Sequence, residues 1–161
     1  MSYICRACSE IYDDLLDTTE GCPKQRCGGD VDDLVCVDSA FAAVVAEFNK
    51  KGLEVEYANL GTPIYVVNDA PSIVFCSFLM DEFTEDEFKN DIFANLPGDW
   101  RFKVRTDSND YGTGHFDSGS VKYPMIECVF YGGTDIERQI KFFDNYLKLA
   151  RFVSNMDELK Y

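Results

Sequence analysis

Cys5-Arg-Ala-Cys8 and Cys22-Pro-Lys-Gln-Arg-Cys27-Gly28-Gly29 are two close cysteine pairs thirteen residues apart, a spacing of C-x2-C-x13-C-x4-C. Four thiolates on two tight turns suit an ion that takes sulfur ligands at tetrahedral corners, as zinc does. The stretch Glu10–Gly21 is long enough for a hairpin that brings the turns together. Gly21, Pro23, Gly28 and Gly29 let the second turn bend sharply. The chain has seven cysteines, an odd number, and opens Met-Ser-Tyr-Ile-Cys-Arg with no secretion signal, so a complete disulfide framework explains them poorly. A redox pair at Cys5/Cys8 would open a helix, and the acidic stretch after Cys8 does not read as one. Cys36, Cys76 and Cys128 sit in apolar runs and read as small core hydrophobes, with Cys36 the one plausible substitute ligand.

The stretch from Cys5 to Gly29 resembles a zinc ribbon, a likeness that covers about the first quarter of the chain. It implies a bound Zn2+ held by Cys5, Cys8, Cys22 and Cys27. The second pair departs from the usual pattern, since four residues separate its cysteines where two are usual. The division expected is a ribbon over residues 1–37 and an α+β domain over 38–161 with its own apolar set.

Beyond the ribbon, Leu34–Val37 reads as a strand. Asp38 or Ser39 caps a helix over about Ala40–Lys51, with Phe41, Val44, Val45 and Phe48 on one face and Gly52 just past its end. Leu53–Tyr57, Ile64–Val67 and Ser72–Leu79 follow as a three-strand meander. Thr84-x-x-Glu87 is a capping box, with Phe83 stapled onto Phe88 around it. Phe88, Ile92, Phe93 and Leu96 form the inward stripe of that helix, which Pro97-Gly98 ends. Trp100–Arg105 alternates as a strand, a polar loop runs from Thr106 to about Ser120, and Met125–Tyr131 is the last strand. Thr134-x-x-Glu137 opens a terminal helix whose Ile136, Ile140, Phe143, Leu147 and Ala150 step by 4, 3, 4 and 3, which predicts a buried face. The order predicts an α+β fold, with a mixed or antiparallel sheet of about five strands and about three helices.

The 161 residues are 46% hydrophobic and 14% aromatic, which excludes a disordered tail or a coiled coil as the whole chain. The net charge is −14. A field of that sign repels phosphate backbones and argues against general nucleic-acid binding. No apolar run reaches the length of a membrane helix, and the expectation is a soluble, cytoplasmic protein with no membrane partner.

Most catalytic constellations are missing: there is no phosphate loop, and no Gly-x-Gly-x-x-Gly follows a strand. His115, the one histidine, lies in the polar loop and reads as an exposed loop residue. Arg101, Lys103 and Arg105 share one strand face, either as a small nucleotide patch or, the favoured reading, as partners of the acidic surplus. Arg6, Lys24 and Arg26 beside the cysteine turns offer a weaker nucleic-acid reading. Asp81, Glu82, Glu85, Asp86, Glu87 and Asp91 gather at the start of the second helix. They complement its positive end, or they form a patch that docks on a basic protein surface.

Val45-Ala-Glu-Phe-Asn-Lys-Lys-Gly-Leu-Glu-Val-Glu-Tyr57 and Asn95-Leu-Pro-Gly98 resemble segments of proteins from phages and Gram-positive bacteria in which a zinc ribbon precedes a helix and a strand. That group usually carries Cys-Cys-Ser-Gly-His after the strand, where this chain reads Tyr57-Ala-Asn-Leu-Gly61. The resemblance implies a phage or mobile-element setting and no activity. The function expected is that of a non-enzymatic, zinc-binding, acidic interaction protein, a phage inhibitor in the host cytoplasm that mimics the charge of a nucleic acid. The alternative is a small enzyme or nucleotide-binding domain using the 106–120 loop.

Overall fold

The computed structural model describes residues 1–13, 18–61, 70–108, 120–130 and 133–161. The expected strand Ile64–Val67 and His115 with most of its loop lie outside the described residues.

The chain begins with a strand that becomes the middle of a sheet. β1 (Ser2–Cys5) pairs antiparallel with β2 (Ile11–Asp13) on one side and β3 (Leu34–Val37) on the other, so Tyr3 faces Tyr12 and Cys36. A 3-10 turn over Ser39–Phe41 leads into α1 (Ala42–Lys50). Asp38 does not cap that turn; its carboxylate accepts from the Leu60 amide instead. Gly52, at φ +90°, ends α1 as expected.

A second antiparallel sheet has the order β4-β5-β7-β6, from β4 (Val55–Asn59), β5 (Ser72–Phe75), β6 (Trp100–Ser108) and β7 (Ser120–Cys128). With the helices this is the expected α+β class. The β6–β7 ladder reaches Ser108↔Ser120, so both ends of the expected polar loop are strand. Pro124 sits one residue past the last β5–β7 pair, Val74↔Met125, where no ladder bond to β5 is required.

Three local readings are corrected. The run Ser72–Leu79 stops being strand at Phe75, and Leu79–Glu82 forms the short helix α2, because Cys76 O and Ser77 O accept from the Leu79 and Met80 amides. A continuous apolar run fits strand and buried helix equally well.

The second helix keeps its capping box, with the Thr84 hydroxyl accepting from the Glu87 amide and Phe83 5.8 Å from Phe88. After α3 (Glu85–Glu87) it widens into a π-helical turn over Phe88–Ile92, closed by the Phe93 amide donating to Phe88 O. The wider turn puts Phe88 and Phe93 on one side, stacked 5.8 Å apart and both against Phe102. Ile92 and Leu96 are only partly buried.

The largest correction concerns α4 (Asp135–Asn155). Its expected inward residues Ile136, Ile140, Phe143 and Leu147 are 70%, 64%, 62% and 50% exposed. The buried face is centred instead on Asn145, Leu149 and Val153. Asn145 sets this rotation: its backbone carbonyl accepts from Trp100 Nε1 at 2.9 Å, and its side-chain oxygen accepts from the Asp99 amide at 2.7 Å. Its Nδ2 donates to Asp99 Oδ2 and Lys141 O, so the buried amide is fully used. A Cβ at Gly98 would overlap the Asn145 oxygen, which explains glycine there.

The buried set is continuous from Ile4, Val35 and Val37 of the first sheet through Phe41, just before α1, and Phe48 of α1 to Phe75, Trp100 and Ile126 of the second. Phe41 meets Trp100, Phe142 and Tyr146 edge-on or tilted, joining α1 to α4. Polar ties cross the same boundary. Arg6 Nε donates to Val55 O at 3.1 Å, and Asn49 Nδ2 donates to Arg6 O at 2.7 Å and Ser9 Oγ at 2.8 Å.

Candidate metal centre

β1 ends at Cys5, and its pairing with β2 holds the first turn, where the Ser9 amide donates to Cys5 O at 2.7 Å with Ser9 at φ +63°. The second turn accommodates its two extra residues through a Cys27 amide bond to Lys24 O, with Arg26 at φ +65°. Gly29 O accepts from the Cys22 amide and anchors the start of that turn. The result brings Cys5, Cys8, Cys22 and Cys27 together, with all four sulfurs within 4.8 Å of one another.

The geometry fits an ion. Cys5 and Cys27 sulfurs are 3.6 Å apart and Cys8 and Cys22 sulfurs 3.7 Å. A tetrahedron of sulfurs about 2.3 Å from a central metal has edges of about 3.8 Å. None of the four is in a disulfide. Cys5 is buried and the other three are half-buried. Gly29 is part of the fit, since a Cβ there would stand 2.9 Å from Cys5 Sγ and 3.4 Å from Cys27 Sγ.

The thiols differ sharply before any metal binds. Burial pushes Cys5 up to about 12 and raises Cys8 as well. Burial also acts to raise Cys22, but bonds from the Tyr12 hydroxyl and the Lys24 amide, with the neighbouring thiols, outweigh it and hold Cys22 at about 7. Tyr12 comes from β2 and was not singled out by the sequence pattern, although it lies opposite Tyr3 in the hairpin. Cys36 lies on β3 opposite Tyr3 and is not in the cluster. Cys76 and Cys128 are buried, with thiols pushed up to about 12 by that burial, as core cysteines should be.

The other expected site residues are placed as follows. Asp81, Glu82, Glu85, Asp86, Glu87 and Asp91 are all exposed along α2, α3 and the π-helical turn. Glu87 closes the capping box, and Glu85 pairs with Lys89 at 2.9 Å, which lowers its carboxyl below the usual range. Asp81, Thr84, Glu85 and Lys122 line an open cleft of about 450 Å³ at the start of β7. Two carboxylates against one lysine make this cleft a poor phosphate site.

Lys103 pairs across strands with Glu127 at 3.4 Å, Arg105 pairs with Asp107 at 2.9 Å and lies over the Tyr57 ring, and Arg101 donates to Gly98 O and Trp100 O. The positive strand face is thus matched within the fold. Arg6 is spent on Val55, Asp32 and Glu56, and Lys24 on Glu10.

No helix among the described residues is long and apolar enough to cross a membrane. No protein-family model, curated protein or solved structure matches this chain. What the residues themselves establish is an α+β protein with an N-terminal cluster of four cysteines within metal-binding distance of one another.

Proposed function

We propose that the metal is zinc and that the chain is a non-enzymatic, acidic interaction protein that docks on a basic protein surface. The observation that carries this reading is six exposed carboxylates, Asp81, Glu82, Glu85, Asp86, Glu87 and Asp91, within one short segment of a chain of net charge −14. Closely spaced carboxylates on α2, the capped α3 and the π-helical turn present charge much as a run of phosphates does. The partner class that fits is a nucleic-acid-handling protein whose basic groove they occupy. The likeness of Val45–Tyr57 and Asn95–Gly98 to phage proteins supports only a phage setting; in that setting the reading is of an inhibitor acting on such a protein in the host cytoplasm. Zinc, by this reading, holds the fold and does no chemistry.

The test is retention of host proteins by the zinc-loaded chain at low and high salt, with nucleic acid as competitor. Glu85→Lys/Asp86→Lys should abolish binding, whereas Thr84→Ala should retain it while costing about 0.5–2 kcal/mol of stability. Failure of nucleic acid to displace the partner would remove charge mimicry. Equal binding by both variants would remove this patch from the interface.

A further inference from the structure

We infer that α4 is a self-association surface, on which Ile136, Ile140, Phe143 and Leu147 pack against the same residues of an antiparallel second copy of this chain. These four side chains stand 50–70% exposed, on the side of the helix away from Asn145, Leu149 and Val153. Their steps of 4, 3 and 4 follow the 3.5-residue period of a helix-pairing seam, the spacing that keeps one stripe facing a second helix. Residues 133–141 are exposed on every side, yet the capping box at Thr134 holds the helix formed to its first turn. An unsupported helix end is marginal in water, so a neighbour there adds what the fold itself does not supply.

Charge argues for a second copy over the basic partner proposed for α2 and α3. The chain carries −14, but α4 has Asp135, Glu137 and Asp144 against Arg138, Lys141, Lys148 and Arg151. It is a surface on which two like-charged copies meet without strong repulsion, and it holds no attraction for a basic groove. Charge also sets the direction. Asp135 and Glu137 stand at the start of the helix and Lys148 and Arg151 toward its end. An antiparallel pair lays acidic start on basic end twice, as two-fold symmetry requires, and opposes the helix dipoles. A parallel pair would set like charges together. A 21-residue helix is about 31 Å long, and four such side chains from each copy give an interface near the lower limit of about 1,000 Å² for specific association. A weak, concentration-dependent dimer is therefore expected.

The test is sedimentation equilibrium of the full zinc-loaded chain from about 1 to about 200 μM, a span that brackets micromolar dissociation constants. The wild type should move from monomer toward dimer. Ile140→Glu/Phe143→Glu should stay monomeric throughout, and on dilute protein its circular dichroism spectrum and melt should match the monomeric wild type, because both positions are exposed. Arg151→Glu should weaken the dimer several-fold by placing acid on the acidic start. A wild type that is monomeric throughout, or a dimer that survives the double variant, overturns the proposal. Unchanged association in Arg151→Glu overturns the antiparallel arrangement.

Discussion

The Tyr12 hydroxyl lies 3.2 Å from Cys22 Sγ, and its bond to the Cys22 thiolate helps hold that cysteine at about 7. Cys5, on the same cluster, is pushed up to about 12 by burial. In metal-free protein the two should therefore be chemically distinct. Because the Cys22 value is lowered, its thiolate, and hence its alkylation rate, should rise as pH passes through about 7, while Cys5 stays protonated far above that. Tyr12→Phe removes the donor and should move the Cys22 profile to higher pH. Peptide mapping after a short alkylation pulse measures both, and equal labelling of Cys5 and Cys22 would contradict the assignment.

Metal removal should be felt throughout the fold. Ile4, Val35 and Val37 flank the cluster and belong to the same buried set as Phe41 and Trp100. Chelation, or Cys22→Ser, should lower the midpoint of one cooperative unfolding transition. Two separate transitions by tryptophan fluorescence and far-ultraviolet circular dichroism would show instead that the parts unfold independently.

Asn145→Ala and Ile140→Ala should have opposite standing from that suggested by polarity. The first leaves the part-buried Asp99 amide unpaired and should cost about 1–3 kcal/mol, lowering Tm by about 2–4 °C per kcal/mol. The second lies on an exposed face and should stay within about 0.5 kcal/mol when measured on dilute protein. Thermal melts of the two variants decide it.

Gly28 and Gly29 should separate backbone strain from crowding of the sulfurs. A Cβ at Gly28 meets nothing within 4 Å, but the residue is at φ +74°, so Gly28→Ala should cost about 1–2 kcal/mol of stability with little effect on the metal. Gly29→Ala pushes directly on Cys5 Sγ and should weaken metal binding by about tenfold, about 1.4 kcal/mol. Competition with a chromophoric chelator measures the difference.

What could be read from the sequence was what neighbouring residues decide. The cysteine turns, the Thr84 and Thr134 capping boxes and Gly52 after α1 all follow from spacings of a few residues. The face of α4 was not legible, because a 4-3-4 apolar stripe looks the same whether it packs inward or outward. The rotation is fixed by Asn145 bonding to Asp99 and Trp100, which are distant in sequence. The π-helical turn escaped for a related reason. Phe88 and Ile92 already satisfy a 3.6-residue period, and it is Phe102 on β6, with Phe75 on β5, that rewards pairing Phe88 with Phe93. Tyr12 carried no motif at all, and its role depends on where the second cysteine turn comes to rest.

The position of β1 bears on the order in which the chain can fold. It leaves the ribosome before both of its neighbours, yet it occupies the middle of their sheet and is complete only when Leu34–Val37 has been synthesised. Until then its outer edge is bare and open to mispairing. A metal ion clasped by all four cysteines ties Cys27 to the end of β1, so the loop still to be closed runs from Cys27 to Leu34 and no longer from Cys5. That shortens it roughly fourfold and lowers the entropic cost of closure by about 1.2 kcal/mol. Early metal capture would thus act as a fold-order device, shortening the time for which the central strand waits unpaired.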